Sequence, residues 1–248
     1  MSKLLCFAKR NTKEILRDPI SAFFGIAFPI VLLLLLTLID RSIPAQAQMT
    51  LFHIETLCPG IGVFSLSFLA LFTAILISKD RGSSFLHRLF TSPLKSSDFI
   101  LGYLLPLLPM ALAQLFVCYA TSLLLGLDFS VRILLACAVS LPIAVVNIAL
   151  GMIFGTLLNE KAVGGVCGAL LTNVSAWLSG IWFSLDLVGG AFKKIAYFLP
   201  YANAVDAARF ALSGDYSSLW NSLWPVCLWA AALLFLAVFL FGRSRKAK

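Results

Sequence analysis

Six long apolar runs separated by short polar stretches dominate the chain: Ile20–Ile39, Leu57–Ile77, Phe99–Leu125, Ile133–Leu158, Ala162–Leu185 and Leu223–Phe241. Each approaches or exceeds the roughly 20 consecutive apolar residues that an α-helix needs to cross a bilayer. The pattern predicts an all-α membrane protein with six transmembrane helices. Pro106 and Pro109 in the third run and Pro225 in the sixth predict kinks, with the freed carbonyls satisfied by neighbouring helices. Gly151-x-x-x-Gly155 and the trio Gly164, Gly165 and Gly168 mark faces where helices can approach closely.

Three stretches depart from the spanning pattern. Residues 3–17 come first: projected at about 100° per residue, Leu4, Leu5, Ala8, Thr12, Ile15 and Leu16 fall within an arc of about 40° to 160°. Lys3, Lys9, Arg10, Lys13, Glu14 and Arg17 lie outside that arc. Residues 1–19 therefore read as an interfacial helix, charged side to the headgroups and apolar side at the acyl boundary, ended by Asp18-Pro19. A basic start, an apolar run and Ala45-Gln46-Ala47 also imitate a cleaved secretory signal, but the run is longer than the roughly 7–15 residues of such a signal's apolar core.

The second departure is a charged island at 79–95. Phe85 and Leu89, and Leu86 and Phe90, stand four apart and share one helical face, with His87 and Arg88 on the other. Gly82 is placed to allow a tight turn, Ser83 or Ser84 to cap the helix, and Thr91-Ser92-Pro93 to end it. A short amphipathic helix between two spans is a docking element for a partner or for headgroups. The third departure, 192–210, is apolar enough to enter a membrane but broken by Pro200 and dotted with Lys, Asn, Asp and Arg. It predicts a re-entrant or interfacial hairpin over 189–215, with Tyr197, Tyr201 and Asn203 at the outer interface and Asp206 and Arg209 able to pair three residues apart.

Composition agrees: 60% of residues are hydrophobic and 12% charged, against about 45–50% and about 25% for soluble domains. The net charge of +8 falls at the ends and in the island, without the interleaved aromatics of a nucleic-acid surface. Fourteen of the 19 Lys and Arg lie in the N-terminal segment, the island, the 159–161 turn and the tail, which puts both termini and the island in the cytoplasm. The six cysteines show no metal-ligand spacing and read as packing residues. No G-x-x-x-x-G-K-[ST] loop occurs, so ATP hydrolysis is not expected from this chain; His53 and His87 stand apart in loops, and no catalytic or metal site is expected. The runs are almost free of charge. Their amides and hydroxyls, including Gln114, Asn147, Asn173, Ser175 and Ser179, read first as interhelical glue, with Gln114, Asn147 and Asn173 as possible pathway residues.

The order of these parts resembles the permease subunit of ABC-2-type transporters. The resemblance is carried by the amphipathic start, by Asp80-Arg81-Gly82, Arg88-Leu89 and Thr91-Ser92-Pro93-Leu94 between the second and third runs, and by Leu199-Pro200-Tyr201 with Asp206-Ala207-x-Arg209 before the last. It departs from the family at Lys79-Asp80, where an arginine–acid pair is expected. The resemblance implies a single membrane domain over 1–248 in the prokaryotic inner membrane, a homodimer, lipid contact, and separate ATP-binding cassette subunits that hold ATP and magnesium, this chain itself carrying no cofactor. It implies ATPase-coupling roles for Arg81, Gly82, Phe85, Arg88, Leu89 and Pro93, and an outer gate made of Pro200, Tyr201, Asp206 and Arg209. The implied activity is export of an amphipathic, lipid-linked, glycan or drug-like substrate by alternating access. A stand-alone secondary transporter or channel is the alternative, but the runs show neither an internal repeat nor an ion-coupling charge. A lipid-modifying membrane enzyme would need a convergent polar constellation that the sequence lacks.

Overall fold

The computed structural model describes residues 3–44, 50–83 and 96–246, and every element among them is a helix. In chain order these are α1 (Lys3–Arg17), α2 (Pro19–Ser42), a 3₁₀ turn (Thr50–Phe52), α3 (Ile54–Ser65), α4 (Phe68–Gly82), α5 (Ser96–Leu125), α6 (Arg132–Val139) and α7 (Leu141–Leu157). They continue with α8 (160–178), α9 (Leu185–Val188), α10 (Gly190–Phe198), α11 (Pro200–Ser213) and α12 (Tyr216–Lys246). Five stretches are long and apolar enough to cross a membrane: Pro19–Ser42, Ile54–Gly82, Phe99–Leu125, Arg132–Leu157 and Tyr216–Arg243. The predicted fifth run is shorter than expected. Its helix ends at Leu178 rather than Leu185, and it is built from Glu160–Val163, a π-helical stretch Gly164–Leu171, and Thr172–Leu178.

The prolines explain much of the local geometry. Pro29 offers no N–H to the carbonyl of Gly25, and the helix widens just before it into a π stretch over Phe23–Ala27, where the Phe28 N–H reaches the Phe23 carbonyl. Pro106 and Pro109 lie inside α5 and Pro225 inside α12, and both helices continue through them. The carbonyl freed by Pro106 is that of Gly102. It accepts a 2.9 Å hydrogen bond from Asn11 Nδ2 of α1, so a neighbouring helix does replace the missing donor. The break in the second span falls instead at Leu66-Ser67, between α3 and α4.

The span formed by α3 and α4 is the central post. Its most apolar stretch is 94% buried, against 28% in α2 and 17% in α12, whose large outward-facing apolar side chains, such as Leu38 and Phe235, match a lipid surround. The backbones of α4 and α7 approach each other closely. A β-carbon added at Gly151 would lie 2.5 Å from the Ala70 carbonyl oxygen and 2.6 Å from Thr73 Cβ; one at Gly155 would lie 2.9 Å from Ala74 Cα and 3.0 Å from Ile77 Cβ. The predicted small-residue face is thus a groove that admits the α4 backbone. A β-carbon at Gly168 would touch Leu71, but one at Gly164 or Gly165 would meet nothing within 4 Å among the described residues, so those two glycines are not needed for a close helix contact there.

Replacing Gly151 with Leu is expected to separate α4 from α7 and lower stability by on the order of 1–3 kcal/mol or more, because the groove has no room to repack. Gly164→Ala meets no neighbour among the described residues and, at a helical glycine, is expected to keep stability or raise it by up to about 1 kcal/mol. Thermal unfolding of the purified variants in detergent checks both.

Candidate functional site

Two polar clusters lie at opposite ends of the bundle. At the first end the carboxylate of Asp80, in the last turn of α4, is 1% exposed. Arg10 Nη1 donates to Asp80 Oδ2 and Arg10 Nη2 lies against Oδ1, both at 2.7 Å, and the Tyr103 hydroxyl of α5 donates to Oδ2 at 2.8 Å. Burial works against the Arg10 charge, but the hydrogen bond and the charge of Asp80 outweigh it and hold the guanidinium above its ordinary pKa. Phe7 packs edge-on against Tyr103 and Phe99, with centroids 5.0 and 6.1 Å away, and a β-carbon at Gly102 would collide with the Phe7 ring at 2.1 Å. The face of α1 that carries Phe7, Ala8, Asn11 and Ile15 is therefore buried against protein, while Leu5 and Leu16 remain exposed. This corrects the sequence reading, which assigned the whole apolar arc to lipid and left out Phe7 and Asn11. The missed signal was Asn11 between Phe7 and Ile15, a polar residue that lies on the apolar side when projected as a helix.

Arg81, a predicted coupling residue, donates at 3.1 Å to the carbonyls of Gly155 and Leu158, supplying partners for the otherwise open end of α7. Gly82 does not make the expected tight turn. It is the last helical residue of α4, has no positive φ, and is followed by Ser83 in an extended conformation. Phe85, Arg88, Leu89 and Pro93 lie outside the described residues. The strands of chain that flank them, α4 up to Gly82 and α5 from Ser96, are joined through Asp80, Tyr103 and α1.

At the other end α10 and α11 meet at Leu199, where Pro200 starts α11 in the position a helix tolerates best. Asp206 and Arg209 approach to 3.8 Å, as their spacing predicted. Asp206 also accepts from the Tyr197 hydroxyl at 2.9 Å, and Arg209 donates to the carbonyls of Thr56 at 3.2 Å and Gly180 at 3.4 Å. Thr56 and Gly180 enter through backbone atoms, which no side-chain pattern announces. Asn203 and Tyr201 turn inward rather than to the interface: Asn203 Nδ2 bonds the carbonyls of Tyr197 and Leu199, and Tyr201 is buried with its hydroxyl unpartnered among the described residues. Gly214, at φ 87°, closes α11 with its N–H on the Phe210 carbonyl, in the left-handed conformation that favours glycine. The guanidinium of Arg132 covers that turn and donates to the Ser213 carbonyl at 2.9 Å.

Of the possible pathway residues, Gln114 is buried and reaches the Ser65 carbonyl at 3.5 Å, and Asn147 is buried and, among the described residues, bonds its own helix at the Ile143 carbonyl at 3.0 Å. Asn173 likewise bonds Ala169 of its own helix, so of these amides Gln114 bridges two helices as expected, whereas the bonds of Asn147 and Asn173 among the described residues stay within one. Asn173 does line a cleft of about 570 Å³, with Thr172 and the aromatic rings of Phe28, Phe68, Trp177 and Trp182. The sequence could not have assembled it, because the rings come from α2, α4, α8 and the segment after α8. No metal-binding group of three or more His, Cys, Asp or Glu occurs among the described residues.

Arg10→Ala is expected to destabilise the chain by on the order of 2 kcal/mol, since it strands a buried carboxylate; the value is reduced from that of a fully buried pair because Arg10 is 36% exposed. Asp80→Asn added to Arg10→Ala is expected to recover most of the loss. A double-mutant cycle by thermal unfolding measures the coupling.

Comparison with curated proteins returns no match. Comparison with protein families matches the ABC-2 type transporter over residues 3–212, which spans α1, both ends of the island, and α11 up to its last turn. The chain therefore belongs to the ABC-2 type transporter family, as a multi-pass membrane component of such a transporter.

Proposed function

We propose that this chain is the permease subunit of an ATP-driven exporter in a prokaryotic plasma membrane, working by alternating access as a homodimer with two separate ATP-binding cassette subunits. ATP and magnesium belong to those partners, and this chain carries no catalytic group. The observation that carries the reading is the family match, which includes the island at 79–95 and the hairpin before the last span. The arrangement of the first polar cluster supports it: the chain on both sides of the island is anchored to α1 through Asp80, so a force applied to the island by an ATPase reaches α4 and α5 together.

In this reading α8 is the sixth crossing. The residue before it, Asn159, follows Leu158 at the Arg81 end, and Gly180 beyond it meets Arg209 at the other. An even number of crossings agrees with cytoplasmic placement of both basic termini. The hairpin α10–α11 then closes the outer end as a gate containing Pro200, Tyr201, Asp206 and Arg209. The uncharged aromatic cleft beside Asn173 suits an amphipathic cargo, whether lipid-linked, glycan or drug-like.

Two measurements test the proposal. Phe85→Ala and Arg88→Ala, in the permease reconstituted with its ATPase, are expected to weaken assembly or uncouple hydrolysis from transport by on the order of 1–2 kcal/mol; wild-type coupling in both would remove the island from this role. At the outer end, Asp206→Ala and Arg209→Ala are each expected to reduce transport at matched expression, and the charge-swapped pair to restore part of it. Three fully active variants would make the hairpin a passive cap.

A further inference from the structure

A cleft of about 810 Å³ opens at the first end of the bundle, between α1, the start of α2 and the last two turns of α4. Its mouth carries Lys9, Lys13 and Arg17 from α1 and Lys79 from α4. Among the described residues none of these four is ion-paired with a carboxylate. The acids of the cleft are already engaged: Glu14 lies 2.6 Å from Arg10, and the Asp18 carboxylate caps α2 by accepting from the Ser21 N–H at 3.0 Å and its hydroxyl at 2.7 Å. The mouth therefore keeps an excess of positive charge facing one space.

Below the mouth the chemistry changes. Phe72, Ile75 and Leu76 line the wall on the same face of α4 as Lys79, at helical spacing; Ile75 is partly exposed, Phe72 and Leu76 are buried behind it, and Pro19 faces them from the start of α2. From Lys79 down to Phe72 the wall descends about 10 Å, at roughly 1.5 Å per residue. A cleft that is cationic at the rim and apolar beneath, beside the turn where the chain enters its first span, matches an ion with a hydrocarbon tail. A free inorganic anion would use only the rim.

We propose that this cleft binds one anionic phospholipid, its phosphate held by Lys13, Arg17 and Lys79 and an acyl chain lying along Ile75 and Pro19. Basic pockets between membrane helices on the cytoplasmic side recognise such headgroups. The bound lipid bridges α1 and α4 beside the Arg10–Asp80 pair and so braces the joint that flanks the island. The site depends on the contacts between α1 and α4, not on export or on the ATPase, so it stands or falls separately from the transport reading.

The test is native mass spectrometry of the delipidated full chain in neutral detergent, titrated with phosphatidylglycerol, with phosphatidylcholine of the same acyl chains, and with glycerol phosphate. One phosphatidylglycerol is expected to be retained at concentrations where phosphatidylcholine is not, with glycerol phosphate neither retained nor competing. Lys13→Gln with Lys79→Gln is expected to weaken phosphatidylglycerol binding roughly thirtyfold, while Lys13→Arg with Lys79→Arg preserves it. Both lysines are exposed, so the substitutions remove charge without removing packing. Equal retention of the two lipids, or an unchanged glutamine variant, overturns the site; competition by glycerol phosphate reassigns it to a soluble anion and overturns the lipid.

Discussion

The close approach of α4 to α7 is the contact on which the rest of the bundle is built. With no hydrophobic drive between helices in lipid, association rests on van der Waals contact and on hydrogen bonds, and both depend on how near two backbones can come. Gly151 and Gly155 remove the side chains that would hold α7 away from Ala70 and Ala74. This fixes α4 as the post around which the other helices arrange, and its near-complete burial follows. The outer helices α2 and α12 can then face lipid with large apolar side chains at no penalty, because lipid is as apolar as the core.

A buried post still needs an end, and at Asp80 that end is a carboxylate. A lone buried carboxylate is costly, so its presence is tolerable only with Arg10 and Tyr103 in place. The same contacts recruit α1. Asn11 satisfies the carbonyl that Pro106 leaves open, and Phe7 fills the space left by the missing side chain at Gly102. Three apparent oddities of the sequence, an asparagine on an apolar face, a proline in a span and an acid at a span's end, are thus answered by one joint between α1, α4 and α5. At the opposite end Arg209 does comparable work with backbone partners, tying α11 to the start of α3 and to the turn after α8.

The two ends differ in kind. The first is held by a bidentate charged pair, a hydroxyl and an aromatic cluster, and it flanks the island that the family match includes. The second also has a hydroxyl, that of Tyr197 on Asp206 at 2.9 Å, but its charged pair is looser, at 3.8 Å, and Arg209 makes its other contacts to backbone carbonyls. The end at Asp80 is therefore tied to its neighbours by the closer charged contact, 2.7 Å against 3.8 Å.

Residue type and spacing alone determined the all-helical membrane class, most span boundaries, the Gly151–Gly155 groove and the Asp206–Arg209 pair. Each rests on a local rule: run length against bilayer thickness, period 3.6 along one helix, or the volume of a missing side chain. Tertiary structure alone decided which side of α1 meets protein, that Arg10 and Asp80, seventy residues apart, form one pair, and that Tyr201 and Asn203 point inward. It also decided that Gly82 is helical and that a β-carbon at Gly164 or Gly165 would meet nothing among the described residues. Those outcomes depend on which helices become neighbours, and since lipid and protein interior are equally apolar, hydrophobic pattern carries no signal to distinguish a face turned to one from a face turned to the other.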